Sequence, residues 1–86
     1  MDIEIDIYGH CPVQGEGTIN GMPFYFRARH DAWSMTVEDD PVTASLFGKG
    51  WQRIGRHSNA SWMDHAEARA IIEKCAKEYA DETAEH

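Results

Sequence analysis

An Asn-Gly pair between two strand-like runs constrains the fold of this chain more than any other feature. Asn20 and Gly21 separate residues 15–19 from residues 22–29, a run rich in aromatic side chains. A two-residue type I′ turn needs positive φ at both central positions, which asparagine and glycine adopt with little strain. The pair therefore predicts a tight β-hairpin.

The predicted turn also sets the register of the hairpin. With a two-residue loop the facing pairs are Ile19 with Met22, Gly17 with Phe24, Glu16 with Tyr25, and Gly15 with Phe26. Because side chains alternate across a strand, one face carries Met22, Phe24, Phe26 and Ala28, and the other carries Tyr25, Arg27 and Arg29. We expect the first face to pack on a core and the second to face water or a partner.

Strand patterns flank the hairpin on both sides. Residues 2–8 alternate strictly, with three isoleucines on one side and Asp2, Glu4 and Asp6 on the other. Residues 33–37 alternate in the same way, and such alternation is typical of half-buried strands. The sequence predicts a meander of three to four antiparallel strands over about residues 2–38. The position of the first strand stays open, either at the hairpin's edge or beside the last strand.

A short helix and an irregular segment are expected after the sheet. Asp40 and Pro41 suit the N-cap and the first helical position, and Gly48 suits the residue after a helix that ends at Phe47. Further along, the glycines at positions 48, 50 and 55 exclude a stable helix. Apart from the short helix, we expect an irregular basic loop over about residues 39–60.

The last part of the chain predicts one amphipathic helix over about residues 62–82. Ser61 is the expected N-cap, and Asp64 supplies the acid at the third helical position, as in a capping box. The apolar stripe consists of Ala68, Ile71, Ile72, Cys75 and Tyr79, which recur at helical spacing. The 86 residues therefore predict a single α+β domain, an antiparallel sheet packed against this C-terminal helix.

Composition narrows the class of protein. Fifteen acidic residues against eight lysines and arginines give a formal charge of −7, which argues against direct binding to nucleic acid. No charged leader precedes an apolar run, and no apolar run is long enough to span a membrane. We therefore expect a cytoplasmic protein without a membrane partner.

No arrangement of residues predicts an enzyme or a bound cofactor. Gly15 and Gly17 lack the third glycine and the following helix of a dinucleotide-binding fingerprint, and no Walker motif occurs. His10 and Cys11 are adjacent, so their side chains point apart on an extended chain. The other histidines and Cys75 lack the paired spacing of a zinc site. We predict no catalytic residue, no metal ligand and no cofactor.

Acidic side chains are the main candidates for a binding surface. Asp2, Glu4 and Asp6 recur every roughly 6.6–6.8 Å along a strand, which is close to two nucleotide steps of about 3.4 Å on one DNA strand. The predicted acidic surface consists of Asp2, Glu4, Asp6, Glu38, Asp39, Asp40, Asp64 and Glu67. Such a surface would imitate a phosphate track and occupy the basic groove of a nucleic-acid-binding protein. The alternative is that the charge serves solubility alone.

A resemblance favours the first interpretation. The chain resembles small proteins of phages and mobile elements in the runs Ile7-Tyr8-Gly9-His10-Cys11-Pro12-Val13-Gln14-Gly15-Glu16-Gly17-Thr18, Phe24-Tyr25-Phe26-Arg27-Ala28-Arg29 and Trp33-Ser34-Met35. In size, acidity and lack of a catalytic motif it is similar to anti-CRISPR proteins, many of which block target-DNA binding by the effector complex. The resemblance implies an inhibitor in the host cytoplasm that binds the Lys/Arg-lined, DNA-binding or PAM-reading surface of a CRISPR effector subunit.

A second interpretation makes the protein a non-enzymatic interaction or assembly module of a phage or bacterium. Tyr25, Arg27, Arg29 and Trp51 would then dock another protein or a second copy of the chain, because aromatic residues and arginine are typical interface anchors. The plain structural alternative is that Tyr25 and the arginines cover the sheet and pair with the acids of the first strand. Monomer and homodimer both remain open.

Overall fold

The computed structural model describes residues 2–83, which form one antiparallel sheet of five strands, two α-helices and a short 3₁₀ turn. In chain order the elements are β1 (Ile3–Tyr8), β2 (Val13–Ile19), β3 (Met22–Arg29), β4 (Ala32–Val37), α1 (Pro41–Phe47), β5 (Trp51–Arg56), the 3₁₀ turn (Ala60–Trp62) and α2 (His65–Thr83). The strand order is β1-β2-β3-β4-β5. The predicted α+β meander is confirmed, with one strand more than the three or four expected.

The Asn20-Gly21 hairpin and its register are confirmed. Asn20 has φ 51° and Gly21 has φ 84°, the positive values that a type I′ turn requires. The predicted pairs Ile19 with Met22, Gly17 with Phe24, Glu16 with Tyr25, and Gly15 with Phe26 all form. Phe24 and Phe26 are 1% and 0% exposed, so the face predicted to be core is buried.

The first strand lies at the edge of the hairpin, not beside the last strand. β1 pairs with β2, with Ile5 opposite Gly17. The turn also holds the start of β1, because the Asn20 side-chain oxygen accepts a hydrogen bond from the Asp2 N–H (2.9 Å) and the Asn20 N–H donates to the Asp2 carbonyl oxygen (2.7 Å). A Cβ at position 17 would overlap the Glu4 carbonyl oxygen. Glycine at this position therefore permits the close approach of β1.

A fifth strand lies within the segment expected to be an irregular basic loop, which corrects the prediction for residues 39–60. β5 pairs with β4 along its length, and Gly55 lies opposite Trp33. A Cβ at position 55 would overlap the Trp33 indole, so glycine gives the ring room beside β5. The strand is hard to see in the sequence because Arg53, a charged residue, occupies the side toward α2, where it pairs with Glu78 (3.3 Å).

The short helix predicted after the sheet is confirmed as α1. The Asp40 carboxylate accepts a hydrogen bond from the Thr43 N–H (3.4 Å), and Pro41 occupies the first helical turn. Gly48 follows the helix with φ 64°, a conformation that glycine adopts without strain. Each end of this helix is thus determined by the residue that the sequence suggested.

The two helices lie on opposite faces of the sheet. α2 packs on the apolar face, where the buried core includes Val13, Ile19, Phe24, Phe26, Ala28, Met35, Val37, Met63, Ala68, Ile72 and Cys75. α1 lies on the other face, where the Gln52 amide donates to the Ala44 carbonyl oxygen (3.3 Å) and Thr36 is 1% exposed. We call this second face the open face, because α1 covers only its end near Thr36.

The start of α2 differs from the prediction. The Ser61 hydroxyl is not its N-cap, because it accepts a hydrogen bond from the His30 N–H (2.7 Å) and so ties the 3₁₀ turn to the β3–β4 turn. The helix begins at His65, and the Asp64 carboxylate accepts from the Ala66 N–H (3.0 Å) in the capping position. The predicted apolar stripe is confirmed, with Ala68, Ile72 and Cys75 buried and Ile71 and Tyr79 packed against them.

Within residues 2–83, no helix has the length and apolar content that a membrane span needs.

The stability of the domain should depend strongly on the buried Phe26 ring. Phe26→Ala removes a side chain that is 0% exposed, so we expect the free energy of unfolding to fall by about 3–5 kcal/mol. Leu46→Ala is the control, because Leu46 is 75% exposed on α1 and its loss should change stability by less than about 0.5 kcal/mol. Urea denaturation measures both variants. Equal effects of the two substitutions would contradict this core.

The close approach of β1 and β2 predicts different effects for two neighbouring glycines. In Gly17→Ala the new methyl group meets the Glu4 backbone, which cannot move without opening the strand pair, whereas in Gly15→Ala it meets the flexible Ile72 side chain at 2.9 Å. Overpacking costs about 1–3 kcal/mol, and we expect the larger loss for Gly17→Ala. Amide hydrogen exchange should show faster opening of β1 in that variant only. Equal β1 protection in both would refute the steric assignment.

Candidate functional site

The acids predicted on the first strand lie at the edge of the sheet and are exposed. β1 pairs with β2 on one side and has no strand on its other side within residues 2–83. Asp2, Glu4 and Asp6 are exposed, whereas the three isoleucines that alternate with them are half-buried toward α2. No ion pair in the described part of the chain involves these three carboxylates.

A fourth carboxylate joins this group on the open face. Glu16 lies on β2 directly opposite Asp6 and is exposed. Like charges in directly opposite positions of two strands destabilise the pair. We call Asp2, Glu4, Asp6 and Glu16 the acidic edge. Glu16 was missing from the predicted acidic surface, although the hairpin register places it beside the first strand once that strand is paired with β2.

The acidic run after β4 stands at the same end of the sheet. The Glu38 N–H donates to the Pro23 carbonyl oxygen (3.2 Å), Pro23 pairs with Thr18, and Thr18 pairs with Glu4. Glu38 is thus three strands from Glu4, roughly 14 Å at the usual strand spacing. Next to it, Asp39 and Asp40 are exposed, and the Asp40 carboxylate caps α1.

Asp64 and Glu67 do not belong to this surface, which corrects the predicted set. The start of α2 lies at the other end of the sheet, where His65 Nε2 is 3.0 Å from the Gly9 carbonyl oxygen after β1. The Asp64 carboxylate caps α2, and Glu67 Oε2 lies 2.8 Å from His57 Nε2. The six residues of β1 put these two acids roughly 20 Å from its beginning.

Arg53 neutralises acids of α2 and not those of β1. Its guanidinium pairs with Glu78 (3.3 Å) and with Glu82, and it lies 4.3 Å from the centre of the Trp51 ring. The Trp51 indole N–H donates to Glu82 (3.1 Å), and the ring meets Tyr79 edge to face. Trp51 therefore belongs to the α2 side of the sheet. The structure separates it from Tyr25, Arg27 and Arg29, with which it was grouped in the second interpretation.

Three other arginines lie in or beside a shallow groove on the open face, on the side of the sheet toward β5. The groove has a volume of about 240 Å³ and is lined by Arg27, Arg29, Ala32, Trp33, Ser34 and Ile54. Arg56 lies beside it, because Arg56 pairs with Ala32. We call Arg27, Arg29, Arg56 and the small residues between them the arginine groove. Ile54 and Arg56 were missed because only the pairing of β5 with β4 places them here. Ser34 was missed although the pairing of β3 with β4 puts it opposite Arg27.

Two tyrosines, Tyr8 and Tyr25, lie on the open face next to Glu16. The Tyr25 hydroxyl donates to the Gln14 side chain (2.9 Å), so it is engaged within the sheet. Partial burial raises the pKa of Tyr8, and the neighbouring Glu16 carboxylate raises it further. Partial burial also raises the pKa of Tyr25, against the opposing effect of the Arg27 guanidinium. Both hydroxyls are therefore neutral at physiological pH.

The histidines and Cys11 do not form a metal site in the described part of the chain. No group of three or more potential metal ligands occurs within residues 2–83. The His10 ring stacks with Trp62 and with His65, at centroid distances of 6.1 and 4.9 Å. Cys11 is exposed beside this stack and Cys75 is buried under α2, both as free thiols.

Comparisons with protein-family models, with curated proteins and with solved structures find no match to this chain. The functional inference therefore rests on the placement of its charged side chains. Two regions of opposite charge on one face of the sheet, the acidic edge and the arginine groove, are the candidate binding sites.

The two cysteines should differ sharply in reactivity. Burial raises the pKa of the Cys75 thiol to about 11, so little thiolate forms near pH 8, whereas Cys11 is exposed. Because thiolates are the reacting species, we expect Ellman's reagent to label one thiol per native chain at pH 8 and two after denaturation. Cys11→Ser should abolish the native labelling. Rapid labelling of Cys75 in that native variant would contradict its burial.

Proposed function

We propose that this protein is a non-enzymatic inhibitor that docks its acidic edge on a Lys/Arg-lined nucleic-acid-binding surface and blocks recognition of target DNA. The observation that most supports this proposal is the direct pairing of Asp6 with Glu16 at an exposed edge of the sheet. Neither carboxylate forms an ion pair with a basic side chain within residues 2–83. The resemblance of the chain to anti-CRISPR proteins makes a CRISPR effector complex the proposed partner, in the host cytoplasm.

The physical basis is the unfavourable charge arrangement in the free protein. Carboxylates that face each other across two strands repel, and they lower the stability of the sheet. A lysine or arginine from a partner placed between them would replace this repulsion by attraction. Arg53 does not supply this cation, because it is engaged with Glu78 and Glu82 on the other face. Arg27 lies on β3 diagonal to Glu16, but it forms no ion pair with that carboxylate within residues 2–83.

The geometry of the acids supports imitation of a phosphate backbone. Glu4 and Asp6 are alternate residues of one strand, so their spacing of roughly 6.7 Å matches two steps of about 3.4 Å along a DNA strand. The run from Glu38 to Asp40 adds negative charge at the same end of the sheet. Because β1 is an edge strand, a partner can reach these acids without displacing other elements of the fold.

Solubility and self-assembly explain the arrangement less well. Solubility needs net charge, but it does not need two carboxylates in direct opposition. Docking through Tyr25, Arg27, Arg29 and Trp51 is weakened because Trp51 lies on the other face, packed against Tyr79 and hydrogen-bonded to Glu82. Tyr25 is also engaged with Gln14.

The proposal is tested by asking whether the protein competes with target DNA for binding to purified CRISPR effector complexes that carry a guide RNA. Fluorescence anisotropy of a labelled target duplex measures DNA binding at increasing concentrations of the protein. We expect inhibition by the wild-type chain and at least about tenfold weaker inhibition by Glu4→Gln/Asp6→Asn, since losing roughly 1.4 kcal/mol of ion pairing is a tenfold change. Inhibition should also weaken as salt rises.

The matched control is Glu73→Gln/Asp81→Asn, which removes the same charge from exposed positions of α2. It should inhibit as the wild type does. Equal loss in both double variants would show that only net charge matters. The proposal would be refuted if the acidic-edge substitutions left inhibition unchanged, or if the wild-type protein inhibited none of the effector classes tested.

A further inference from the structure

The arginine groove has no role in the proposed inhibition and no internal explanation. Arg27, Arg29 and Arg56 form no ion pair within residues 2–83, although the chain carries fifteen acids. The Nε atom of Arg27 is buried and has no hydrogen-bond partner in the described part of the chain. Buried polar groups are normally hydrogen-bonded. The Arg27 guanidinium therefore has hydrogen-bond donor capacity that the described part of the chain does not use.

The register of three strands explains the shape of the groove. Arg29 and Arg56 both lie opposite Ala32, one on each side. Their Cα atoms are two strand spacings apart, roughly 10 Å. In the next row along the strands, Ser34 lies between Arg27 and Ile54. Small residues on the central strand with long residues on both neighbours produce a depression whose walls carry guanidinium groups.

We propose that the arginine groove binds a phosphomonoester, a small molecule with a terminal phosphate and a compact apolar or planar group. A phosphate monoester has three terminal oxygens and up to two negative charges, whereas a carboxylate has two oxygens and one charge. Guanidinium groups from both sides of the groove and the Ser34 hydroxyl provide donors from several directions. This arrangement suits a tetrahedral anion better than a planar one.

The apolar part of the ligand would lie on Ile54. This side chain is 73% exposed although it borders the groove. The volume of about 240 Å³ is below the range of about 300–1,000 Å³ typical of pockets for drug-sized ligands. The groove therefore suits a phosphate with one small substituent and excludes a dinucleotide cofactor.

Inorganic phosphate, phenyl phosphate and benzoate together test this assignment. Titration of the ¹⁵N-labelled protein in phosphate-free buffer should shift the amides of Arg27, Arg29, Ala32 and Ser34. We expect phenyl phosphate to bind more tightly than inorganic phosphate, because its ring covers Ile54. Benzoate should bind at least about tenfold more weakly than phenyl phosphate, because it makes fewer charge-assisted hydrogen bonds.

Substitutions of single arginines and arginine pairs test whether phenyl phosphate binds in the arginine groove. Arg27→Gln/Arg29→Gln should weaken phenyl phosphate at least about tenfold, as expected for lost charge-assisted hydrogen bonds. Arg27→Lys keeps the charge but loses the planar donor fork, so it should also weaken binding and serves if the double variant does not fold. Arg69→Gln, an exposed arginine on α2, should leave the affinity unchanged.

Several outcomes would overturn the assignment. If benzoate bound as tightly as phenyl phosphate, the groove would recognise negative charge alone and would not distinguish a phosphate from a carboxylate. Equal effects of Arg69→Gln and Arg27→Lys would mean that binding is not local. Shifts produced by an acidic peptide or by RNA, but by none of the small anions, would assign the groove to a macromolecule. The site is independent of the proposed inhibition, so Glu4→Gln/Asp6→Asn should bind phenyl phosphate at least as tightly as the wild type.

Discussion

The structure depends on one constraint in the first hairpin: Gly15 and Gly17 lie opposite the buried rings of Phe26 and Phe24. The Asn20-Gly21 turn places Gly17 opposite Phe24, and the missing side chain at position 17 lets β1 approach. Once β1 is paired there, strand alternation sends its isoleucines under α2 and its carboxylates to the open face. The acidic edge is therefore a direct consequence of how the core packs.

Charge on this protein is arranged locally, and the net value of −7 conceals that arrangement. Arg53 neutralises two glutamates of α2, whereas the open face keeps acids at one side and arginines at the other. Interactions between exposed charges that are farther apart than about 8 Å are largely screened at physiological salt, so the acids of β1 and the arginines beside Ala32 act mainly on their own neighbours. A single sheet face can therefore carry two sites for ligands of opposite charge.

The placement of charged side chains was predictable from sequence where alternation along one strand was sufficient, and it was not where pairing between distant segments was needed. The exposure of Asp2, Glu4 and Asp6 follows from their alternation with isoleucines. Grouping Asp64 and Glu67 with them was wrong, because the position of the start of α2 depends on contacts of the 3₁₀ turn with the β3–β4 turn and the β1–β2 connection. The arginine groove needed β5, whose sequence has no apolar alternation.

The sequence by itself determined the features whose energetics are local: the hairpin and its register, the ends of α1, and the apolar stripe of α2. These depend on the φ preferences of single residues and on side-chain periodicity, which can be read along the chain. Only the tertiary structure decided that Ser61 binds the β3–β4 turn and not α2, that residues 51–56 form a strand, and which charges share a surface. Those outcomes depend on segments far apart in sequence, whose contacts compete with local preference and outweigh it once the core is packed.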